Sequence, residues 1–181
     1  MVKIVAVMLV GLWLWAGNAF AQDTKDALGE VMARDPDRFQ ADMVDLIAGF
    51  GQAGALTLDG IEEYIALTRA GARATALRRF MAQDLDGDGT VLRRELGVAQ
   101  AAATAASRGR MERQFIAADA NADDKIDAGE LVLEGQGAAL RALDEDEAAV
   151  LRAVLSLDTS GDGAVTVAEL SAAVLRVTAT P

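Results

Sequence analysis

Three acidic twelve-residue segments, repeated at nearly even spacing, constrain the fold of this 181-residue chain more than any other feature. The first spans residues 84–95, the second begins 35 residues later at 119–130, and the third begins 39 residues further on at 158–169. In each segment, polar side chains occupy the first, third and fifth positions, and a Glu stands twelfth. A repeat of this length indicates a chain built from similar supersecondary units.

The spacing inside the segments matches a calcium-loop pattern. Segment 84–95 fits D-x-[DN]-x-[DN]-G-x5-E at every position. Segment 119–130 departs from the pattern at Asp124, which occupies the glycine position, and segment 158–169 departs from it at Ser160, which replaces a carboxylate or amide. A single match could be an ordinary acidic turn, but accident does not explain three matches at near-constant spacing.

Helical signals flank these segments. Apolar residues at helical spacing precede each one. Asp35 and Pro36 predict the start of a helix over residues 37–48, and Asp144 with Glu147 predicts the start of another. The apolar residues are Leu77, Phe80, Met81 and Leu96 around the first segment, Met111, Phe115, Ile116 and Leu131 around the second, and Val150, Leu151, Val154 and Leu155 before the third.

Together, the repeated loops and their helices resemble the EF-hand superfamily, specifically the calmodulin-like proteins with four helix-loop-helix units. The resemblance covers nearly all of the chain after residue 21, and it implies an all-α fold. It also implies two lobes of paired EF-hands, with a short two-stranded β pairing between loops at their eighth positions. We therefore expect Leu56 to face Val91, and Ile126 to face Val165.

A degenerate first unit is predicted at residues 49–60, which lie 35 residues before the first acidic segment. Gly54 and Leu56 occupy the sixth and eighth positions, as Gly and an apolar residue do in segment 84–95. The first, third, fifth and twelfth positions carry only Gly or Ala, so no carboxylate is left to hold a metal. An ordinary Gly-rich loop between two helices is the alternative.

The order of the units predicts the domain organisation. Residues 22–97 are expected to form the amino-terminal pair of units, and residues 110–181 the carboxyl-terminal pair. Between them, residues 98–109 are rich in helix formers and predict a helical linker that is weakest near Gly109, with a partly frayed linker as the alternative. The stretch 134–137 contains two Gly and predicts a break within the second pair.

The resemblance implies that calcium is the bound ion. Calcium takes six to eight oxygens, and a bidentate Glu supplies one oxygen too many for compact octahedral magnesium. Gly89 permits a positive φ at the sixth position, whereas Asp124 adopts it at a cost on the order of 1 kcal/mol, which predicts weaker binding there. The implied ligands are Asp84, Asp86, Asp88, Thr90 and Glu95; Asp119, Asn121, Asp123, Lys125, Asp127 and Glu130; and Asp158, Ser160, Asp162, Ala164, Thr166 and Glu169.

Composition excludes several classes of function. The chain has neither His nor Cys, so it lacks an imidazole base, a thiolate, disulfides and the usual zinc ligands. Its formal charge of −11 opposes binding to nucleic acid or anionic lipids and suits hard cations or basic partner segments. Neighbouring acids such as Asp144 and Asp146, or Glu62 and Glu63, point to different faces of a helix. No enzyme activity is predicted.

The first 21 residues predict a secretory signal peptide. Lys3 precedes an apolar run over residues 4–15, and residues 19–21 form a small-x-small cleavage site. The alternative is an uncleaved membrane anchor, but the run is shorter than the roughly 20 residues that a span needs, and Gly17 interrupts it. We expect an exported protein, periplasmic or secreted, that does not associate with the membrane after cleavage.

The expected function is that of a calcium-responsive sensor or adaptor. The resemblance implies that ion binding opens a lobe and exposes an apolar groove to a protein or peptide partner. Only four Met follow the predicted signal peptide, which is few for a promiscuous groove: Met32, Met43, Met81 and Met111. A calcium buffer, or a constitutively loaded structural module without a partner-binding switch, is the alternative.

Overall fold

The computed structural model describes residues 24–179, which are mostly helical and contain two small antiparallel sheets. This confirms the predicted helical character. The predicted signal peptide lies outside the described residues. Within residues 24–179, no helix combines the length and the apolar character that a membrane crossing requires.

The described chain consists of helices with four short strands between them, and the element that follows each strand is a helix. The helix α1 covers residues 24–34 of the described chain. It is followed by α2 (Pro36–Phe50), β1 (Ala55–Thr57), α3 (Leu58–Met81), β2 (Val91–Leu92), α4 (Arg93–Ala101), α5 (Ala105–Ala118), β3 (Lys125–Ile126), α6 (Ala128–Ala142), α7 (Glu145–Ala153), a 3-10 turn (Val154–Leu157), β4 (Ala164–Thr166) and α8 (Val167–Thr178).

The predicted helix start at Asp35 is confirmed. The Asp35 carboxylate accepts the backbone N–H of Arg38 at 3.2 Å, and Pro36 stands at the first helical position. This arrangement satisfies one of the N–H groups that a helix start leaves without a partner. Two of the acidic segments begin the next helix in the same way: the Asp127 side chain caps α6, and the Thr166 side chain caps α8.

The two sheets pair the loops in a different order from the one predicted. Leu56 of β1 lies opposite Val165 of β4, and Val91 of β2 lies opposite Ile126 of β3. The prediction that Leu56 faces Val91 and Ile126 faces Val165 is therefore wrong. Helix packing accounts for the observed order, because α2 packs on α8 and α4 packs on α5. All four of these residues are fully buried, as their eighth position predicts.

A double-mutant cycle checks this pairing. We expect Leu56→Ala and Val165→Ala to show a coupling of about 1 kcal/mol in urea unfolding, since contacting side chains are energetically coupled. The matched pair Leu56→Ala and Val91→Ala is expected to be additive, because these residues lie in different sheets. The opposite outcome, coupling to Val91 and additivity with Val165, would restore the predicted pairing.

The contacts divide the chain into two units, and neither unit matches the predicted pairs 22–97 and 110–181. One unit combines the described residues up to Ile65 with those from Glu145 onward, and the other is Ala66–Asp144. The first unit contains the β1–β4 sheet and the second contains the β2–β3 sheet. A buried apolar cluster in the second unit contains Phe80, Val91, Leu96, Phe115, Ala118, Ile126 and Leu131.

Two predictions about where helices continue and break are also wrong. The stretch 98–109 is not one helix, because α4 ends at Ala101 and the Thr104 side chain caps α5 by accepting the backbone N–H of Ser107 at 3.3 Å. The stretch 134–137, in contrast, lies inside the continuous helix α6. A Cβ on Gly135 would lie 3.0 Å from Cγ of Arg73, so this glycine permits close approach of α3 and α6.

Candidate functional site

In segment 84–95, every acidic side chain turns back onto the loop. The Asp84 carboxylate accepts backbone N–H groups from Gly87 at 2.8 Å and from Gly89 at 3.0 Å. At the far end, the buried Glu95 carboxylate, 4 % exposed, accepts the N–H groups of Leu85 at 2.9 Å and Leu92 at 2.8 Å. Gly89 has a φ of 86°, as its sixth position predicts.

The same arrangement recurs in segment 119–130. Asp119 accepts the backbone N–H groups of Asp123 at 3.0 Å and Asp124 at 3.1 Å, and Asn121 donates its side-chain amide to Asp123 at 3.2 Å. Glu130 is 7 % exposed and accepts N–H groups from both ends of the loop. Asp124 does adopt the predicted positive φ, at 62°, so the backbone strain expected of a non-glycine residue is present.

Segment 158–169 keeps the backbone geometry with fewer converging carboxylates. Asp158 accepts N–H groups from Gly161 at 2.7 Å and Gly163 at 2.8 Å, and the Ser160 hydroxyl donates to the same carboxylate at 3.0 Å. Glu169 accepts the backbone N–H and the hydroxyl of Thr166. Gly163 has a φ of 85°, so the sixth position has the same left-handed backbone as its counterparts.

Carboxylate oxygens converge in two of the three segments. One oxygen from each of Asp84, Asp86 and Asp88 lies within 4.8 Å of the others, and the same holds for Asp119, Asp123 and Glu130. Two oxygens on opposite sides of a cation with bonds of about 2.4 Å would also be about 4.8 Å apart. The donor sets therefore fit a hard cation. Within residues 24–179, segment 158–169 does not form a third such group of acids.

The remaining predicted ligands form hydrogen bonds or ion pairs within the loops and at the ends of the neighbouring helices and strands. Thr90 donates its backbone N–H to Asp88 at 2.8 Å, and the Lys125 ammonium lies 3.3 Å from the Asp123 carboxylate. Asp127 points its carboxylate at the start of α6, where it accepts the N–H of Gly129 at 2.8 Å. Ala164 and Thr166 are the first and last residues of β4, Ala164 donates its N–H to Asp162, and Thr166 caps α8.

Segment 49–60 forms a tight turn in place of an open loop. Ala53 and Gly54 have φ angles of 52° and 83°, and Gln52 pairs with Ala55 across the turn. A Cβ on Gly60, the twelfth position, would lie 2.3 Å from the carbonyl oxygen of Phe50. Backbone thus fills the space beside this position, so a carboxylate side chain would not fit there unless the backbone shifted.

Arg93 is a contributor to the site that sequence analysis missed. Its backbone N–H donates to the carbonyl of Asp124 at 3.0 Å, so it ties the start of α4 to segment 119–130. Its guanidinium pairs with Glu112 at 2.7 Å and lies 5.0 Å from the centroid of the Phe115 ring. No motif could identify this role, because it depends on which two segments pair.

Hydrogen-bond donors around Glu95 and Glu169 keep these two carboxylates ionised. Hydrogen bonds from the backbone N–H and hydroxyl of Thr166, with further ones from Ser160 and Thr159, lower the pKa of Glu169 to about 2. The backbone N–H of Leu92 is the main cause of a lowered pKa at Glu95. Donors aimed at a carboxylate stabilise its charged form, which is also the form that binds a cation.

This lowered pKa predicts acid sensitivity of the metal-free protein. The pKa of Glu169 falls from 4.5 to about 2 on folding, so its stabilisation is complete above pH 4.5 and is lost as the pH falls towards 2. We expect urea unfolding of the wild type to show a larger loss of stability between pH 6 and pH 3 than Glu169→Gln shows. Glu63→Gln, at an exposed position of α3, is the control and is expected to behave as the wild type does.

Comparison with known proteins gives no further assignment: no family model, no curated protein and no solved structure matches the chain.

Proposed function

We propose that this chain is an exported calcium-binding protein built from helix-loop-helix units similar to EF-hands. The observation that carries the proposal is the convergence of oxygens from Asp84, Asp86 and Asp88, and of oxygens from Asp119, Asp123 and Glu130, within the span of one hard cation. Export rests on the signal-peptide pattern of residues 1–21. Segment 158–169 is the third and weaker candidate site.

Repulsion among the clustered carboxylates supports this function. Around segment 84–95, backbone N–H groups neutralise part of the negative charge, while Arg94 reaches Asp86 at 3.3 Å on an exposed surface. An exposed ion pair of this kind offsets little of the repulsion. A divalent cation offsets far more, because it attracts every carboxylate of the loop at once. Binding of the ion therefore favours the folded loop.

Calorimetric titration of the mature protein with calcium tests the proposal. We expect two sites of higher affinity, or three with segment 158–169, and a melting temperature that rises with calcium because a ligand that binds the folded state stabilises it. Magnesium at the same concentration is the control and is expected to give a smaller rise. No binding heat and identical melting curves at millimolar calcium would reject the proposed function.

A dye that reports exposed apolar surface separates a sensor from a buffer. Large apolar side chains in the second unit already face solvent, among them Ile116, Leu133 and Leu140, and a calcium-dependent rise in dye fluorescence would assign a partner-binding switch to the protein. Unchanged fluorescence on saturation with calcium would identify a buffer or a constitutively loaded module instead.

A further inference from the structure

Four exposed arginines line an open surface cavity of about 430 Å³ in the unit Ala66–Asp144. They come from three helices that are well separated in the sequence. The lining residues that carry the argument are Arg79 of α3, Arg110, Arg113 and Gln114 of α5, and Glu134 and Arg141 of α6. We call this cavity the arginine pocket. Because the chain as a whole carries a formal charge of −11, a concentration of positive charge at one place is unexpected.

A single carboxylate serves two of these arginines. Arg141 Nη2 lies 2.9 Å from Glu134 Oε1, and Arg79 Nη2 lies 3.9 Å from the same oxygen. The Glu134 side chain is only 21 % exposed, so it faces the pocket rather than the solvent. One negative charge against two guanidinium groups leaves an excess positive charge on this side of the pocket.

The two arginines of α5 add to that excess. Arg110 donates from Nη2 to the neutral Ser107 hydroxyl at 3.3 Å. The Arg113 side chain forms neither a hydrogen bond nor an ion pair with any residue in the described part of the chain. Guanidinium groups remain charged at all physiological pH values, so they repel one another until an anion lies between them. The pocket therefore has donors and charge directed at a ligand that the protein itself does not supply.

We propose that the arginine pocket binds the phosphate group of a small soluble molecule. Planar guanidinium groups match phosphate oxygens with paired hydrogen bonds, and an anion with two charges balances the excess better than a single carboxylate does. The Gln114 amide adds a neutral donor and acceptor to the lining. The cavity volume lies in the range of small-molecule sites and leaves room for the group to which the phosphate is joined.

Calorimetric titration of the calcium-free full chain tests this inference independently of the proposed calcium function. At constant ionic strength, inorganic phosphate and pyrophosphate are expected to bind saturably at one site, pyrophosphate more tightly, and acetate is expected not to bind. Arg113→Gln is expected to weaken pyrophosphate binding at least about tenfold, the effect of losing one charge-assisted hydrogen bond. Arg108→Gln is the matched control, because it removes the same charge from a position of α5 that does not line the pocket.

Glu134→Gln tests the same inference through an expected gain in pyrophosphate affinity. Removing this carboxylate frees Arg79 and Arg141 and is expected to tighten pyrophosphate binding, whereas Glu30→Gln, the same charge change at an exposed position of α1, is expected to leave it unchanged. Circular dichroism of each variant checks that it folds. Equal losses in Arg113→Gln and Arg108→Gln, the absence of saturable binding, or binding only to vesicles that contain phosphatidic acid would overturn the inference.

Discussion

Replacing Glu95 with Gln is expected to weaken calcium binding at segment 84–95 by at least about 100-fold, or about 2.7 kcal/mol. The substitution removes the charge of the residue that closes the loop and keeps the shape of its side chain. Glu95 is buried, and backbone N–H groups from both ends of the loop hold its two oxygens in place. Calorimetry is expected to show one site fewer in the accessible affinity range.

Glu147→Gln is the matched control for this loss. Glu147, like Glu95, is an acid in the first turn of a helix, but it lies outside all three acidic segments. Its replacement is expected to leave the number of calcium sites unchanged. If both variants keep every site, Glu95 is not a ligand and the assignment of segment 84–95 fails.

Replacing Gly60 with Ala is expected to lower the free energy of unfolding by about 3 kcal/mol. A Cβ at this position would lie 2.3 Å from the Phe50 carbonyl oxygen and 3.3 Å from Cδ1 of Leu56. The first of these contacts is with backbone, which cannot move aside without disturbing the end of α2. Urea unfolding monitored by circular dichroism measures the effect.

Gly71→Ala, on the same helix, is the control for this substitution. A Cβ on Gly71 meets nothing within 4 Å, and its position is exposed. Alanine there is expected to raise stability by about 0.5–1 kcal/mol, because glycine disfavours the helix interior. Equal effects at the two positions would show that Gly60 is not tightly packed, and that segment 49–60 has room for a carboxylate at its twelfth position.

The backbone conformation of each loop could be predicted from the sequence, because the residues that determine it lie within that loop. The glycine or aspartate at the sixth position, the apolar eighth residue and the Glu at the twelfth position act within a dozen residues of one another. The structure accordingly places Leu56, Val91, Ile126 and Val165 in short buried strands, and it gives Gly54, Gly89, Asp124 and Gly163 positive φ.

The choice of strand partner could not be predicted in the same way. Each strand is two or three residues long with one buried apolar side chain, so any two of them could pair equally well. Contacts far away in sequence decide the pairing. In the first unit, α2 packs on α8 and Gln40 donates to the Ser171 hydroxyl at 3.1 Å. In the second, Arg93 bonds to the backbone of Asp124.

The arginine pocket could not be predicted from the sequence for a related reason. Arg79 and Arg141 are separated by the whole of segments 84–95 and 119–130, and only the packing of their helices brings both to Glu134. The formal charge of −11 also predicts binding of cations and not of anions. Net charge describes the average surface, whereas binding depends on the charges at one place.

The discontinuous first unit has a consequence for synthesis. Ala66–Asp144 is contiguous, so all of its contacts are available once ribosomes have passed that point, and closing β2 onto β3 requires a much shorter loop than closing β1 onto β4. Helix α2 must wait for α8, over one hundred residues later. Until then its apolar face, with Phe39, Met43 and Leu46, lacks the contacts that α8 provides. That face is where a nascent chain of this protein is most exposed to aggregation.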